Sequence, residues 1–219
     1  MNFYSLCRIF LIPLTLSALL LGASALGAGK PSLPEIDDKA AAKLDKGKIV
    51  LTSKRANEDE EAEANVRVTG LVKIAAQPAD IWKMLVEPEQ LVAGSKNITD
   101  VTEYGDGIVT HANGDKSMNL KMYMEVLGFN KSWHIYREFH QTENYLTWAL
   151  DKSQTNDIEW NKGSYSLFPS EQDGAYILLY SLEVSTGYKV PKWIEEELVQ
   201  GSLKKHLRHV KKNAEAAAS

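Results

Sequence analysis

Gly163-Ser-Tyr-Ser-Leu-Phe-Pro169, Ala175-Tyr-Ile-Leu-Leu-Tyr-Ser-Leu-Glu-Val184 and the run from Val190-Pro191-Lys192-Trp193 to Asn213 decide the fold of this chain. The first two are alternating runs joined at Asp173-Gly174, the pattern of two strands and a tight turn. The Val-Pro step then opens a helix that sets Ile194, Leu198, Leu203, Leu207 and Val210 along one side. A single amphipathic helix behind a meander of strands must bury its apolar stripe, and the sheet face is the surface available. A curved sheet gripping one helix leaves space between them. The function is expected in that space.

Upstream, Lys48–Ser53 reads as a short strand and Val66–Ile74 as a long one rich in β-branched residues. Pro78 with Asp80 starts one short helix, and Pro88 starts a second that ends at Ala93-Gly94. Strands return at Ile98–Tyr104, Ile108–Ala112, Met118–Leu127, Trp133–Phe139 and Tyr145–Leu150, and Asn156–Trp160 is expected to begin the next. Gly105-Asp106-Gly107 and Asn113-Gly114-Asp115 stand between runs as hairpin signals. Strands grouped between helices predict an α+β fold with an antiparallel sheet, not a parallel βαβ one.

Residues 1–25 read as a signal peptide. An apolar run from Ile9 to Leu21 follows Arg8 and ends in small residues, with cleavage expected after Ala25, or alternatively after Gly27. The competing reading, a retained anchor, needs ~20 apolar residues, and the run falls short. Residues 26–47 read as a flexible or weakly helical leader, 48–215 as the folded domain and 216–219 as a tail. The acidic block at 57–65 reads as a solvated loop, because it lacks the ligand spacing and central glycine of a calcium site. Cys7, the only cysteine, lies in the segment to be removed, so a secreted, periplasmic product would have no disulfide and no thiol chemistry. The net charge of −4 gives no general case for nucleic acid.

Alternate strand residues share a face, and four stripes are assigned to the concave side under the helix. They are Met118, Leu120, Met122 and Met124; Leu146 and Trp148; Tyr165 and Leu167; and Leu178, Tyr180 and Leu182. With Ile194, Leu198 and Gly201 of the helix they form the expected ligand cavity. A plain packed core is the competing reading of any aliphatic stripe. Methionines suit a partner that varies, and Tyr hydroxyls suit a partly wet pocket. Gly201, costly by about 1 kcal/mol inside a helix, suits something bulky beneath it.

Taken together, Val68-x-Gly70-x-Val72-x-Ile74, Ala76-x-Pro78-x-Asp80-Ile81-Trp82-x-Met84-Leu85, Gly163-x-Tyr165-x-Leu167-x-Pro169, Leu179-Tyr180-x-Leu182 and Val190-Pro191-x-Trp193-Ile194 resemble the START-like (SRPBCC) superfamily. The likeness is to its polyketide cyclase/dehydrase and coenzyme Q-binding branch, over about two-thirds of the chain. The resemblance implies a helix-grip fold with a deep apolar cavity for a lipid, isoprenoid quinone or similar ligand. It carries over no catalytic residue, and the leader and acidic loop depart from the family pattern.

Neither a nucleophile elbow nor a phosphate loop is present. His206 and His209 lie three apart among Lys204, Lys205, Arg208, Lys211 and Lys212, which disfavours a metal there. They read as part of a solvated basic face that could approach anionic lipid headgroups transiently. Arg137, Glu138, His134 and Asp151 are candidate pocket groups for a cyclase or dehydratase, though most of them read as exposed strand residues. No cofactor and no metal is expected. The leading expectation is a carrier or chaperone of a hydrophobic small molecule or lipid, and the alternative is a cyclase/dehydratase acting in the same cavity. A third class, a cavity-free interaction module, requires the space to be filled by side chains.

Overall fold

A computed structural model describes residues 30–55, 65–126, 128–171, 174–187 and 201–218. The signal-peptide region, residues 57–64 of the acidic block, Asp173, the helix opening at 190–193, Ile194 and Leu198 lie outside the described residues.

Among the described residues one antiparallel sheet contains eight strands, in the order β1-β2-β8-β7-β6-β5-β4-β3. These are β1 (Val50–Arg55), β2 (Asn65–Ile74), β3 (Ile98–Thr110), β4 (Lys116–Val126), β5 (Phe129–His140), β6 (Tyr145–Leu150), β7 (Trp160–Pro169) and β8 (Tyr176–Ser185). Strands β3 to β8 form a meander, and β8 pairs with β2 from Asn65↔Ser185 to Ile74↔Tyr176. Between β2 and β3, helices α2 (Pro78–Val86) and α3 (Pro88–Gly94) carry the chain to the far edge of the sheet. The C-terminal helix, α4 (Ser202–Ala217), crosses the concave face. The α+β class expected from the strand and helix periods, and the helix grip that the resemblance implies, are what is observed.

Packing follows the alternation. Val68, Val72 and Ile74 of β2, Met118 and Leu120 of β4, Leu146 of β6 and Leu178 of β8 join Leu207 and Val210 of α4 in one core. Helix α4 approaches β2 closely because Gly70 has no side chain: a Cβ there would stand 2.8 Å from Leu207 Cδ1. Helix α2 inserts Trp82 against Phe139, ring centroids 4.8 Å apart, and its indole donates to Asn144 Oδ1 at 3.0 Å.

Two local expectations change, and in the leader the helical alternative holds. Gly105-Asp106-Gly107 does not reverse the chain. Both glycines have positive φ (57° and 62°), yet β3 continues along the same partner, with Glu103↔Leu120 and Ile108↔Met118 on either side of a bulge. The Glu103 carboxylate accepts from Ile108 N at 3.2 Å and closes the bulge. Asn156 lies before β7 rather than in it, accepting from His134 N at 2.7 Å and tying its loop to β5. In the leader, Asp38–Asp45 form a helix, α1, capped by Asp37, whose side chain accepts from Ala40 N. Its Leu44 is buried with Leu71 and Leu179 on the convex face, against the back of the sheet.

Candidate functional site

Toward one end of α4 the two layers part, leaving a cavity of about 270 Å³. That is near the lower end of the roughly 300–1,000 Å³ usual for small-molecule sites. Of the residues expected there, Met122, Met124, Trp148, Tyr165, Tyr180 and Leu182 line it. Met118, Leu120, Leu146, Leu167 and Leu178 point the same way but pack into the solid part of the core. Gly201 has helical dihedrals immediately before α4, and its neighbours Ser202 and Leu203 reach the cavity.

One wall is aromatic. Trp148, Tyr165 and Tyr180 contact one another with centroids 5.1–5.7 Å apart. Gly163 makes this possible. A Cβ there would overlap the Trp148 indole and the Ser181 carbonyl, so its absence lets the indole lie along the sheet. Trp148 Nε1 then reaches Asn161 Oδ1 at 2.8 Å.

Two polar residues in the wall differ from their sequence reading. Arg137 is only 2% exposed and lines the cavity rather than facing solvent. Its Nη2 donates to the Leu85 carbonyl of α2 at 2.6 Å, and its Nη1 has no partner among the described residues. Burial lowers its pKa to about 10, so it stays charged at neutral pH. The signal was there: Trp133, Ile135, Arg137 and Phe139 alternate on β5, which puts the arginine in phase with an inward stripe.

His206 is the second correction. It was expected on the solvated basic face but is buried, with Nε2 2.9 Å from the Tyr165 hydroxyl. It shares the inward spacing of Leu203, Leu207 and Val210, a period that the neighbouring lysines obscure. Gly94 makes room for its ring; a Cβ there would stand 2.7 Å from Nδ1. Burial first, then the charges of His209 and Arg137, lower its pKa to about 4, so His206 is neutral at pH 7. Burial likewise raises the Tyr165 hydroxyl, with Arg137 pulling the other way.

The other candidates stand apart from the cavity. His134 is buried but faces Tyr104 and the Thr155 carbonyl. Asp151 accepts from Tyr104 and Ser153, and Glu138 from Tyr136. His209 meets Gln90 at 3.0 Å. Among the described residues no group of His, Cys, Asp or Glu has metal-ligand geometry. Among the described residues the wall therefore offers apolar surface, one buried cation, a neutral Tyr–His pair and the hydroxyl and amide groups of Tyr180, Ser95, Asn97, Asn161, Thr186 and Ser202.

The His206 shift has a measurable sign. Below the ordinary value of 6.5 the unfolded chain takes up a proton that the native state refuses until about pH 4. Stability from this group is whole above pH 6.5 and falls as pH drops through that window, by on the order of 3 kcal/mol. His206→Gln is expected to flatten that part of the slope in urea midpoints measured between pH 7 and 4.5. Parallel slopes for the two proteins would show that His206 is not buried neutral.

No family model and no curated protein matches this sequence. Solved structures do. An aromatase/cyclase from Streptomyces sp. R1128 superposes with a TM-score of 0.56 at 14% identity, covering 71% of this chain and 96% of that one. A START superfamily protein from Mycobacterium smegmatis gives 0.54 at 17%, covering 69% and 98%. Human STARD10 gives 0.52 at 12%, covering 86% and 82%. The fold is START-like. In START-like terms, the cavity between the sheet and the last helix is the space that the helix grip encloses, here with Arg137 and His206 in its wall.

Proposed function

We propose that this START-like chain binds a hydrophobic small molecule, a lipid or isoprenoid quinone-like compound, between its sheet and α4, and carries it. The observation that supports this is the gap itself. Met122, Met124, Ile135, Leu182 and Leu203 face open space, while the rest of the same stripes close into core. Each 100 Å² of apolar ligand surface buried there contributes about 2.5 kcal/mol. A STAR-related lipid transfer protein from Xanthomonas axonopodis shares the fold, at a TM-score of 0.52 and 12% identity, and this supports such a role. Our reading of residues 1–25 as a cleaved leader puts the carrier in the periplasm. The exposed Lys204, Arg208 and Lys212 on the outer side of α4 would meet anionic headgroups during exchange.

A second reading rests on the Tyr165–His206 pair beside a buried cation. A neutral imidazole can accept a proton and a guanidinium can stabilise an enolate, the needs of a cyclase or dehydratase. The fold shared with the aromatase/cyclase is compatible with it.

Native mass spectrometry of the protein purified from its own envelope tests both readings. An apolar molecule is expected to copurify with the wild type and not with folded Leu182→Asp, and the intact mass reports loss of residues 1–25. A His206 substitution is no control, since its ring lies in the wall; exposed Lys39→Ala, on α1 across the sheet, serves instead. Release of the bound molecule chemically unchanged supports the carrier, and a cyclised or dehydrated product the enzyme. A chain that never carries an apolar molecule would refute both.

A further inference from the structure

Among the described residues, the cavity wall contains a charge without a counter-charge. Arg137 Nη2 is committed to the Leu85 carbonyl, Nη1 has no partner among the described residues, and the residue is shielded from water. No Asp or Glu lines the cavity among the described residues. Buried charges are ordinarily paired, because the interior does not replace the hydration they lose. Of the other polar side chains in the wall, Tyr165 and His206 bond each other, Trp148 Nε1 donates to Asn161 Oδ1 and Asn97 Nδ2 donates to Ser202 Oγ. Among the described residues, Arg137 Nη1 is the buried side-chain donor of this wall without a partner, and it lies midway along the inward stripe of β5 opposite Trp148 of β6.

We propose that Arg137 is the head-group anchor of this cavity, and that the ligand is an amphiphile bearing one carboxylate. The carboxylate meets the guanidinium, and the apolar body lies along Met122, Met124, Ile135 and Leu182. This deepens the hydrophobic-ligand reading and rests on it. A neutral head, such as an ester, alcohol or quinone carbonyl, accepts the N–H but leaves the charge uncompensated. With His206 neutral, the described residues of the wall hold one positive charge, which a monoanion balances and a dianion overbalances. A volume of about 270 Å³ suits a single chain better than a diacyl phospholipid.

The test is displacement of Nile red, a neutral probe, from the purified protein at pH 7 by decanoate, methyl decanoate and decanol. Decanoate is expected to bind at least about tenfold tighter than the other two, as a charge-assisted hydrogen bond supplies. In Arg137→Met, which keeps an apolar stem of similar reach, the three should fall within about threefold of one another. The ester's affinity should match that in the wild type, and circular dichroism checks the fold of the variant. Equal binding of acid and ester to the wild type would overturn the carboxylate anchor and leave the hydrophobic-ligand reading standing, whether or not the variant folds. An acid preference that persists undiminished in folded Arg137→Met would overturn the assignment to Arg137. Failure of Nile red and all three ten-carbon compounds to bind would overturn both.

Discussion

Gly163→Ala is expected to destabilise the protein by about 3 kcal/mol and to shrink the cavity. The new Cβ would overlap the Trp148 indole and the Ser181 carbonyl. The carbonyl belongs to the neighbouring strand and cannot swing aside, so the indole must lift off the sheet into the cavity. Overpacking of this kind costs about 1–3 kcal/mol. Loss of the 2.8 Å Trp148–Asn161 hydrogen bond adds about 1 kcal/mol. Replacing a strand glycine returns some backbone entropy, about 0.5–1 kcal/mol, which does not offset those losses. For a chain of this size the melting temperature should fall by about 6–12 °C. Thermal unfolding followed by tryptophan fluorescence measures it, and apolar-probe capacity should fall in parallel. A variant as stable as the wild type would mean that Trp148 does not lie over Gly163.

Leu207→Ala should cost about 2–5 kcal/mol, as deletion of a wholly buried leucine does. Leu207 fastens α4 to β2, its Cδ1 occupying the space above Gly70 beside Leu51. The two positions share one volume, so their substitutions should be strongly non-additive. In the wild type, Gly70→Ala sets a Cβ 2.8 Å from Leu207 Cδ1 and should destabilise. With Leu207→Ala in place that space is open, and the same change should be close to neutral. A double-mutant cycle from urea unfolding should therefore give a coupling energy of at least about 1 kcal/mol. Additivity would place the grip of α4 on the sheet elsewhere.

Much of this architecture was legible because its signals are local. Period-two alternation identified the inward residues of β4, β6, β7 and β8, and the spacing of Leu203, Leu207 and Val210 identified the buried side of α4. The Asn113-Gly114-Asp115 turn is a hairpin, with Gly114 N bonded to the His111 carbonyl at 2.9 Å. The similar Gly105-Asp106-Gly107 is a bulge. Both use glycines with positive φ, and what separates them is whether the following residues find the old partner strand or a new one. That choice is not written in the tripeptide. Arg137 and His206 were misplaced for a related reason. Each sits on an inward period, but charge and basic neighbours point outward, and the conflict is resolved by what else surrounds the side chain.

The amino-acid order alone therefore determined the α+β class, the faces of most strands and the inward side of the last helix. These follow from backbone periods that act within a few residues. Only the tertiary structure decided where the inward faces touch and where they part, and that a guanidinium and an imidazole stand in the wall of the gap. Sheet curvature, the seat of Leu207 over Gly70 and the support of Arg137 by a carbonyl of α2 join residues far apart in sequence. The shape of the hollow is their joint result.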